Sequence, residues 1–202
     1  MATELEETKE DGRRSRGRRT RASILDTAAD LASVDGLEGL SIGRLAAATG
    51  MSKSGLFAHF GSKEELQVAT YFHARERFLA EVVLPPREFE PGRARVDALV
   101  ECWLRYMRTE VFRGGCFFSE VRTEFGSRED GPVRQVVVKG TRRWLDLLAR
   151  ELDALPGDRD VEQLAFEIDA LGTAANYRFQ LLDDPGVFDQ AAAAIDARLD
   201  AA

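Results

Sequence analysis

The sequence predicts an all-α protein of about nine helices, in which a three-helix N-terminal helix-turn-helix domain precedes a larger helical domain. Apolar residues recur three and four positions apart through most of the chain, which is the spacing of one helix face. Three serine N-cap positions fall within 22 residues, so several helices begin in quick succession. No polar and apolar alternation of useful length occurs, and strands are therefore not expected. A chain of 202 residues, 44% of them hydrophobic, has room for a small and a larger helical domain.

The first helix is predicted over residues 20–35. Ile24 and Ala28 begin its apolar face, and Gly36 stands where a left-handed C-terminal cap is expected. The segment before this helix, residues 1–19, is expected to be a basic and disordered arm.

Two short helices are predicted next, over about 41–48 and 53–59. Ser41 and Ser52 offer the N-cap oxygens, and Gly50 interrupts the helical pattern between the two. A short helix, a tight turn and a second capped helix form the layout of a helix-turn-helix, whose second helix enters the major groove of DNA. Two short connecting helices without a DNA partner are the alternative.

A fourth, longer helix is predicted over residues 63–83. Ser62, followed three residues later by Glu65, is the pattern of a capping box, and Pro85 and Pro86 end the helix. The five remaining helices are bounded by glycines and prolines and are predicted over about 93–112, 117–125, 133–154, 160–182 and 186–200. The resulting domains are an arm at 1–19, a helix-turn-helix domain at 20–66 and a helical effector-binding and dimerisation domain at 67–202.

The helix predicted over 160–182 has two apolar stripes. One consists of Val161, Leu164, Ile168, Leu171, Ala175 and Leu182, and the other of Phe166, Ala170, Ala174, Tyr177 and Leu181. A surface helix needs a single stripe to join its own core, so the second indicates a partner helix from another subunit. The small residues Gly172, Ala174 and Ala175 permit close approach. The expected dimer interface comprises Ile168, Leu171, Ala175 and Leu182; a helix wholly buried in its own domain is the alternative.

Charge is distributed unevenly along the chain, whose formal net charge is −7. Residues 12–63 contain nine Lys or Arg and four acidic residues, whereas residues 64–202 contain 18 and 26. Residues 12–21 alone contain six arginines and no acid, a run that attracts polyanions. A solvated tail that binds nothing is the alternative for an isolated run.

Several classes of protein are disfavoured. No apolar run approaches the ~20 residues that span a bilayer, and the N-terminus lacks the apolar region of a secretory signal, so we expect a cytoplasmic protein without a membrane partner. Two cysteines outside any C-x-x-C pattern do not form a zinc site or a disulfide framework, and neither a metal nor a cofactor is expected.

One part of the sequence is specific enough to indicate a family. The stretch SIGRLAAATGMSKSGLFAHFGSKEEL at residues 41–66 resembles the DNA-binding domain of the TetR family of transcriptional regulators, as does the helix before it. The likeness covers about residues 20–70, and the rest of the chain resembles the family only in length and helical character. It implies a homodimer whose first three helices bind operator DNA and whose helical C-terminal domain binds a ligand and pairs through its last two helices. The family often has Tyr where this chain has Phe57, so the phosphate contact of that hydroxyl is not expected here.

The leading residues of the third helix are the expected base readers. Lys53 donates to guanine acceptors, Ser54 donates or accepts, and Gly55 lets the backbone approach the DNA. The resemblance implies further contacts to the DNA backbone from the arm residues Arg18, Arg19 and Arg21, and from Ser41, Arg44, His59 and Lys63. A helix N-terminus at Lys63 also favours phosphate, while a simple surface histidine is the alternative for His59.

The effector is less well determined by the sequence. Aromatic and polar residues of the larger domain that suit an apolar pocket, or alternatively its core, are Trp103, Tyr106, Met107, Phe118, Trp144, Asn176 and Tyr177. The excess of acids after residue 63 favours a cationic ligand, unless it only solvates the surface.

The hypothesis is a homodimeric, ligand-responsive repressor of a palindromic operator, with the fourth helix as the lever between effector and DNA. One alternative is a thiol redox sensor based on Cys102 and Cys116, although cysteines in apolar surroundings are usually inert. Another is a helical small-molecule-binding protein, but His59 and His73 have no nucleophile or phosphate loop around them, so catalysis is not expected.

Overall fold

The computed structural model describes the backbone of residues 2–109 and 111–201 and the side chains of 17–109 and 111–201. Within these ranges the chain forms nine α-helices and no strand, which confirms the predicted fold class. They are α1 (Ala2–Gly39), α2 (Ile42–Thr49), α3 (Lys53–Phe60), α4 (Lys63–Phe78), α5 (Arg93–Arg108), α6 (Phe117–Phe125), α7 (Pro132–Asp153), α8 (Val161–Leu182) and α9 (Gly186–Ala201). None of the helices in these ranges is long and apolar enough to cross a membrane.

Helix α1 is longer than the sequence predicts. Its backbone is helical from Ala2, through the segment expected to be a disordered arm, whose Glu, Lys and Arg are good helix formers. The side chains before Gly17 lie outside the described residues. At Gly36 the helix is interrupted: φ is +73°, as the predicted glycine position requires, but ψ is 167° instead of the left-handed helical value.

The predicted caps of the short helices are present. Each serine accepts a hydrogen bond from the amide three residues later: Ser41 from Arg44 (3.2 Å), Ser52 from Gly55 (3.1 Å) and Ser62 from Glu65 (3.0 Å). Gly50 adopts the left-handed conformation that ends α2. Five buried apolar side chains pack the first four helices against one another: Leu40, Leu45, Leu56, Phe60 and Leu66.

Helix α4 connects the small domain to the large one. It continues beyond Phe78 as a π-helical turn (Leu79–Val83) and a 3₁₀ turn (Pro85–Glu88), where the sequence predicts a regular helix to residue 83. The Leu84 amide donates to the Leu79 carbonyl, five residues back, which widens the helix before the prolines.

The larger domain is a bundle of α4 to α9. Helix α8 packs between α7 and α9, and α5 packs against α7, α8 and α9. Helix α5 ends at Arg108, four residues before the predicted end, and Phe112 is buried in the turn that follows. Helix α1 packs against both α4 and α6, so two helices of the bundle contact the N-terminal helical domain.

Candidate nucleic-acid interface

The leading edge of α3 faces outward. Lys53 and Ser54 are exposed and Gly55 is half-buried, whereas Leu56 and Phe60 on the other side of the helix are buried. The apolar side therefore holds α3 on the domain while the polar side is available to a duplex groove.

The three expected base readers are held in defined positions. The aliphatic end of Lys53 lies over the start of α2, since a Cβ added to Gly43 would meet its Cε at 3.7 Å. The hydroxyls of Ser54 and Ser52 share a hydrogen bond of 3.1 Å. A Cβ at Gly55 would come within 3.2 Å of the Ser52 Oγ. Because glycine has no side chain, the backbone of α3 is accessible at this position.

Phe57 and His59 flank this edge. The Phe57 ring is 50% exposed and therefore contributes little to the core. His59 is half-buried, with its ring centroid 6.1 Å from that of Phe60.

Two expected phosphate contacts form ion pairs with α1. Arg44 donates to Asp35 at 2.6 Å, and Lys63 Nζ donates to the carbonyl and the carboxylate of Glu38 at 2.9 and 3.0 Å. The hydrogen bond from Lys63 lowers the pKa of the Glu38 carboxyl below its usual value. Pairs at this degree of exposure contribute little stability, so a phosphate can replace the carboxylate at small cost.

The three arm arginines differ from one another. Arg18 and Arg19 are exposed on α1 and have no ion-pair partner in the described part of the chain. Arg21 instead stacks on α3: its guanidinium carbon lies 4.5 Å from the Phe60 ring centroid, and its Nη1 is buried without a hydrogen bond to the described residues. Because α1 continues as a helix, the Arg21 side chain packs on the domain and is not part of an extended arm.

The four acids of α1 whose side chains the structure describes are all engaged. Asp35 and Glu38 hold the cations just described, Asp26 accepts from His73 at 2.7 Å, and Asp30 pairs with Arg113. Among the described side chains, Arg18, Arg19 and Lys53 therefore remain as positive charges without an ion-pair partner, and such charges attract a polyanion.

A carboxylate from the bundle fixes the end of α1. Glu124, on α6, accepts hydrogen bonds from the amides of Leu37 at 2.7 Å and Glu38 at 2.9 Å, directly after the break at Gly36. The Ser33 hydroxyl also accepts from the Gly114 amide at 3.0 Å. The sequence analysis missed Glu124, since a contact across 87 residues leaves no local pattern.

A cavity of about 270 Å³ lies in the bundle between α4, α5, α6 and α7. Trp103, Phe118 and Trp144 line it, as the sequence suggested, together with Phe78 and Tyr71 of α4, which the sequence analysis missed. The other four suggested residues do not line this cavity: Tyr106 and Met107 are buried in the core, Asn176 accepts from the Cys116 amide at 3.1 Å, and Tyr177 is 65% exposed.

The polar lining of this cavity is basic. Five of its residues are arginines and none is acidic: Arg75, Arg87, Arg122, Arg143 and Arg150. This lining does not favour the cationic ligand suggested by the acid excess after residue 63, because no acid lines the cavity and the nearby Asp169 and Glu151 are paired with Arg122 and Arg150. Both cysteines are buried and free, which favours a packing role over a thiol sensor.

The expected dimer residues of α8 mostly face inward. Ile168 and Ala175 are buried in the chain's own core, and a Cβ on Gly172 would overlap the Trp103 ring of the same chain. The exposed apolar stripe is the other one predicted for this helix. It contains Phe166, Tyr177 and Leu181, each about two-thirds exposed, and Leu182 of the expected set lies near its end. The stripe with the stronger apolar pattern is therefore the one that joins the chain's own core.

Comparisons with known families match both parts of the chain. The family of bacterial regulatory proteins named tetR matches residues 24–70. The tetracyclin repressor-like C-terminal domain matches residues 92–195, just over half of the chain. A comparison with curated proteins gave no match.

Solved structures share the fold. A TetR-family transcriptional regulator from Streptomyces coelicolor has 24% identity and a TM-score of 0.78, covering 91% of this chain and 95% of its own. A TetR transcriptional regulator from Chloroflexus aurantiacus has 23% identity and a TM-score of 0.77, covering 92% and 96%. AibR, whose structure is of a complex with isovaleryl coenzyme A and operator DNA, has 21% identity and a TM-score of 0.67, covering 89% and 96%.

Proposed function

Because the chain belongs to the TetR family of DNA-binding transcriptional regulators, we propose that it acts as a homodimeric, ligand-responsive repressor of a palindromic operator. The observation that carries this proposal is the outward leading edge of α3, whose buried side is fixed to the domain by Leu56 and Phe60. A repressor fits because a dimer bound across an operator excludes polymerase from an overlapping promoter.

Base reading is assigned to the first turn of α3. Lys53 donates to the O6 and N7 acceptors of guanine, and Ser54 makes a second polar contact while Gly55 allows close approach. Eight residues are enough for this role, since the N-terminal residues of a recognition helix contact the base edges.

Backbone contacts surround this turn. Arg44 and Lys63 exchange their exposed carboxylate partners for phosphates, and the free amides at the starts of α2 and α4 also favour an anion. Arg18 and Arg19 extend the basic surface along α1. These contacts give affinity and register without sequence preference.

Dimerisation is assigned to α8 and α9. The stripe with Phe166, Tyr177 and Leu181 is an exposed apolar surface on one helix, and a contiguous apolar surface supports a protein partner. A second copy of the same stripe forms a two-fold interface and sets the distance between the two recognition helices.

The ligand response is assigned to the arginine-lined cavity. Helix α4 carries cavity residues Tyr71 and Arg75 and begins at Lys63 beside the DNA surface. Helix α6 carries the cavity residues Phe118 and Arg122. Near its end, the Glu124 carboxylate accepts a hydrogen bond from the Leu37 amide of α1. A ligand that favours one arrangement of these helices therefore changes DNA affinity, typically by 5- to 150-fold. The ligand-bound and DNA-bound complex of AibR supports this assignment by analogy.

Selection of bound sequences from random duplex DNA tests the proposal. The purified protein is expected to enrich an inverted repeat with half-sites one helical turn, about 10 base pairs, or a whole multiple apart. Lys53→Ala should weaken binding by about 1–3 kcal/mol and broaden base preference at one position. Lys139→Ala, which removes an exposed lysine on α7, is the matched control and should change neither.

Two results would contradict the proposal. One is enrichment of no repeated sequence by the wild-type protein. The other is an equal loss of affinity in Lys53→Ala and Lys139→Ala, which would mean that α3 makes no particular contact.

A further inference from the structure

We propose that the effector is an amphipathic organic anion, a carboxylic acid whose apolar body fills the aromatic cavity and whose carboxylate is held by Tyr71, Arg75 and Arg143. This inference rests on the proposed ligand response, and it names the chemical class that the same site accepts.

The apolar part of the cavity is aromatic. The Phe78 ring lies 5.4 Å from Trp144 and 5.3 Å from Phe118 between centroids, and Trp103 lies 5.0 Å from Trp144. A volume of about 270 Å³ is the space of roughly nine water molecules, so an apolar body of about ten non-hydrogen atoms fits. Such a body gains free energy by displacing that water.

The cations around this space are not all neutralised. Arg122 is held by Asp169, with Nη1 at 3.1 Å from its carboxylate, and Arg150 lies 3.8 Å from Glu151. Arg75, Arg87 and Arg143 have neither an ion pair nor a side-chain hydrogen bond within the described residues, and the charges of Arg75 and Arg143 act on the Tyr71 hydroxyl. Guanidinium groups bind carboxylates through paired hydrogen bonds, so unpaired guanidinium groups at one cavity favour an anionic ligand.

Tyr71 adds a neutral donor at the same point. Its ring is buried, and its hydroxyl lies against Gly140, where a Cβ would overlap it. The hydroxyl has no hydrogen-bond partner in the described part of the chain. Burial raises its pKa although the charges of Arg75, Arg122 and Arg143 act to lower it, so the phenol stays protonated and donates.

The position of these donors connects charge recognition to DNA binding. Tyr71 and Arg75 lie on α4, and Arg143 lies on α7. A carboxylate bound between them draws α4 toward α7. This movement shifts the position of Lys63, the first residue of α4, beside the proposed DNA surface. A cation of the same size gains nothing from these donors and is repelled by them.

Tryptophan fluorescence of the full-length protein tests the proposal without DNA, because the only two tryptophans of the chain both line the cavity. The probes are octanoate, octanamide and octylamine, which have the same chain length and carry charges of −1, 0 and +1 at neutral pH. Octanoate should give a saturable change with a dissociation constant at least tenfold lower than either analogue. This factor corresponds to one hydrogen bond to a charged group.

Arginine variants locate the anion. Arg143→Gln and Arg75→Gln should each weaken octanoate binding by about tenfold or more and leave octanamide binding unchanged. Arg142→Gln is the matched control, since Arg142 is an exposed neighbour that does not line this cavity, and it should bind octanoate like the wild type. Helical content measured by circular dichroism should be equal in all four proteins.

The proposal is overturned if octanamide or octylamine binds as tightly as octanoate, if Arg142→Gln loses as much as Arg143→Gln, or if none of the probes gives a saturable change. Addition of octanoate to the DNA complex separates this inference from the proposed function. Octanoate binding that leaves DNA affinity unchanged refutes the ligand response but not the anion site. A DNA complex released by octylamine alone refutes the anion site but not the ligand response.

Discussion

Replacement of Glu124 by glutamine tests whether the bundle holds the DNA-binding end of α1. The carboxylate accepts from two backbone amides, Leu37 at 2.7 Å and Glu38 at 2.9 Å. In Glu124→Gln the side chain is uncharged and keeps one oxygen, which can still accept from one of the two amides. The other amide loses its acceptor, because it faces the NH₂ group of the glutamine. Loss of one such charge-assisted bond destabilises by about 2 kcal/mol. For a chain of this size that lowers Tm by roughly 4–8 °C.

Calorimetry and amide hydrogen exchange measure this effect. Glu120→Gln is the matched control, because Glu120 lies one turn earlier on α6 and has no hydrogen-bonded side chain within the described residues. Burial and the nearby Glu124 raise the pKa of Glu120, so its neutralisation should leave Tm unchanged or slightly higher. The amides of residues 37 and 38 should exchange faster in Glu124→Gln only. Equal Tm values for the two variants, with unchanged exchange at both amides, would refute this role of Glu124.

Further outcomes are expected at the DNA surface and on α8. Arg19→Ala should weaken binding to every DNA sequence and reduce the slope of log affinity against log salt by about one, as titrations at several salt concentrations will measure. Glu38→Gln should strengthen DNA binding by about fivefold, because Lys63 loses a competing carboxylate worth about 1 kcal/mol in water; an unchanged affinity would argue against a phosphate contact there. Because folding lowers the pKa of Glu38, the carboxylate contributes fully to stability above pH 4.5, and this contribution is lost as the pH falls through the pKa of the folded state. Glu38→Gln should therefore flatten the dependence of Tm on pH in this acidic range. Leu181→Glu should give a monomer in sedimentation velocity, while Leu84→Glu, at a leucine that is also more than half exposed but lies outside α8, should remain a dimer. If both variants are dimers, or both are monomers, the interface does not lie on this stripe.

Local patterns predicted the helix-turn-helix correctly because its determinants are local. The cap serines at 41, 52 and 62 each bind an amide three residues away, and the turn at Gly50 needs only a positive φ. Each of these features is determined by residues that are only a few positions apart in the sequence. The outward face of α3 follows from the same short pattern of polar and apolar residues.

The remaining features depend on contacts between distant segments. The pairing of Glu38 with Lys63, the stacking of Arg21 on Phe60 and the Glu124 bond to α1 cross 25 or more residues and have no periodic signature. The two stripes of α8 were both visible, but which one faces the core depends on Trp103 and its neighbours. The basic lining of the cavity was also hidden, because its arginines are scattered over α4, the 3₁₀ turn after it, α6 and α7, and they resemble a solvated surface until the helices are packed.

Cleavage of operator DNA by an iron chelate tethered to α3 tests the central claim most directly. Ala58→Cys places the chelate on an exposed position of α3, and both native cysteines are buried. The account predicts two clusters of cuts in the major groove, separated by one helical turn or a whole multiple of it, and none from a chelate at Ala94→Cys on α5. A single cluster, or cuts from Ala94→Cys but not from Ala58→Cys, would contradict it.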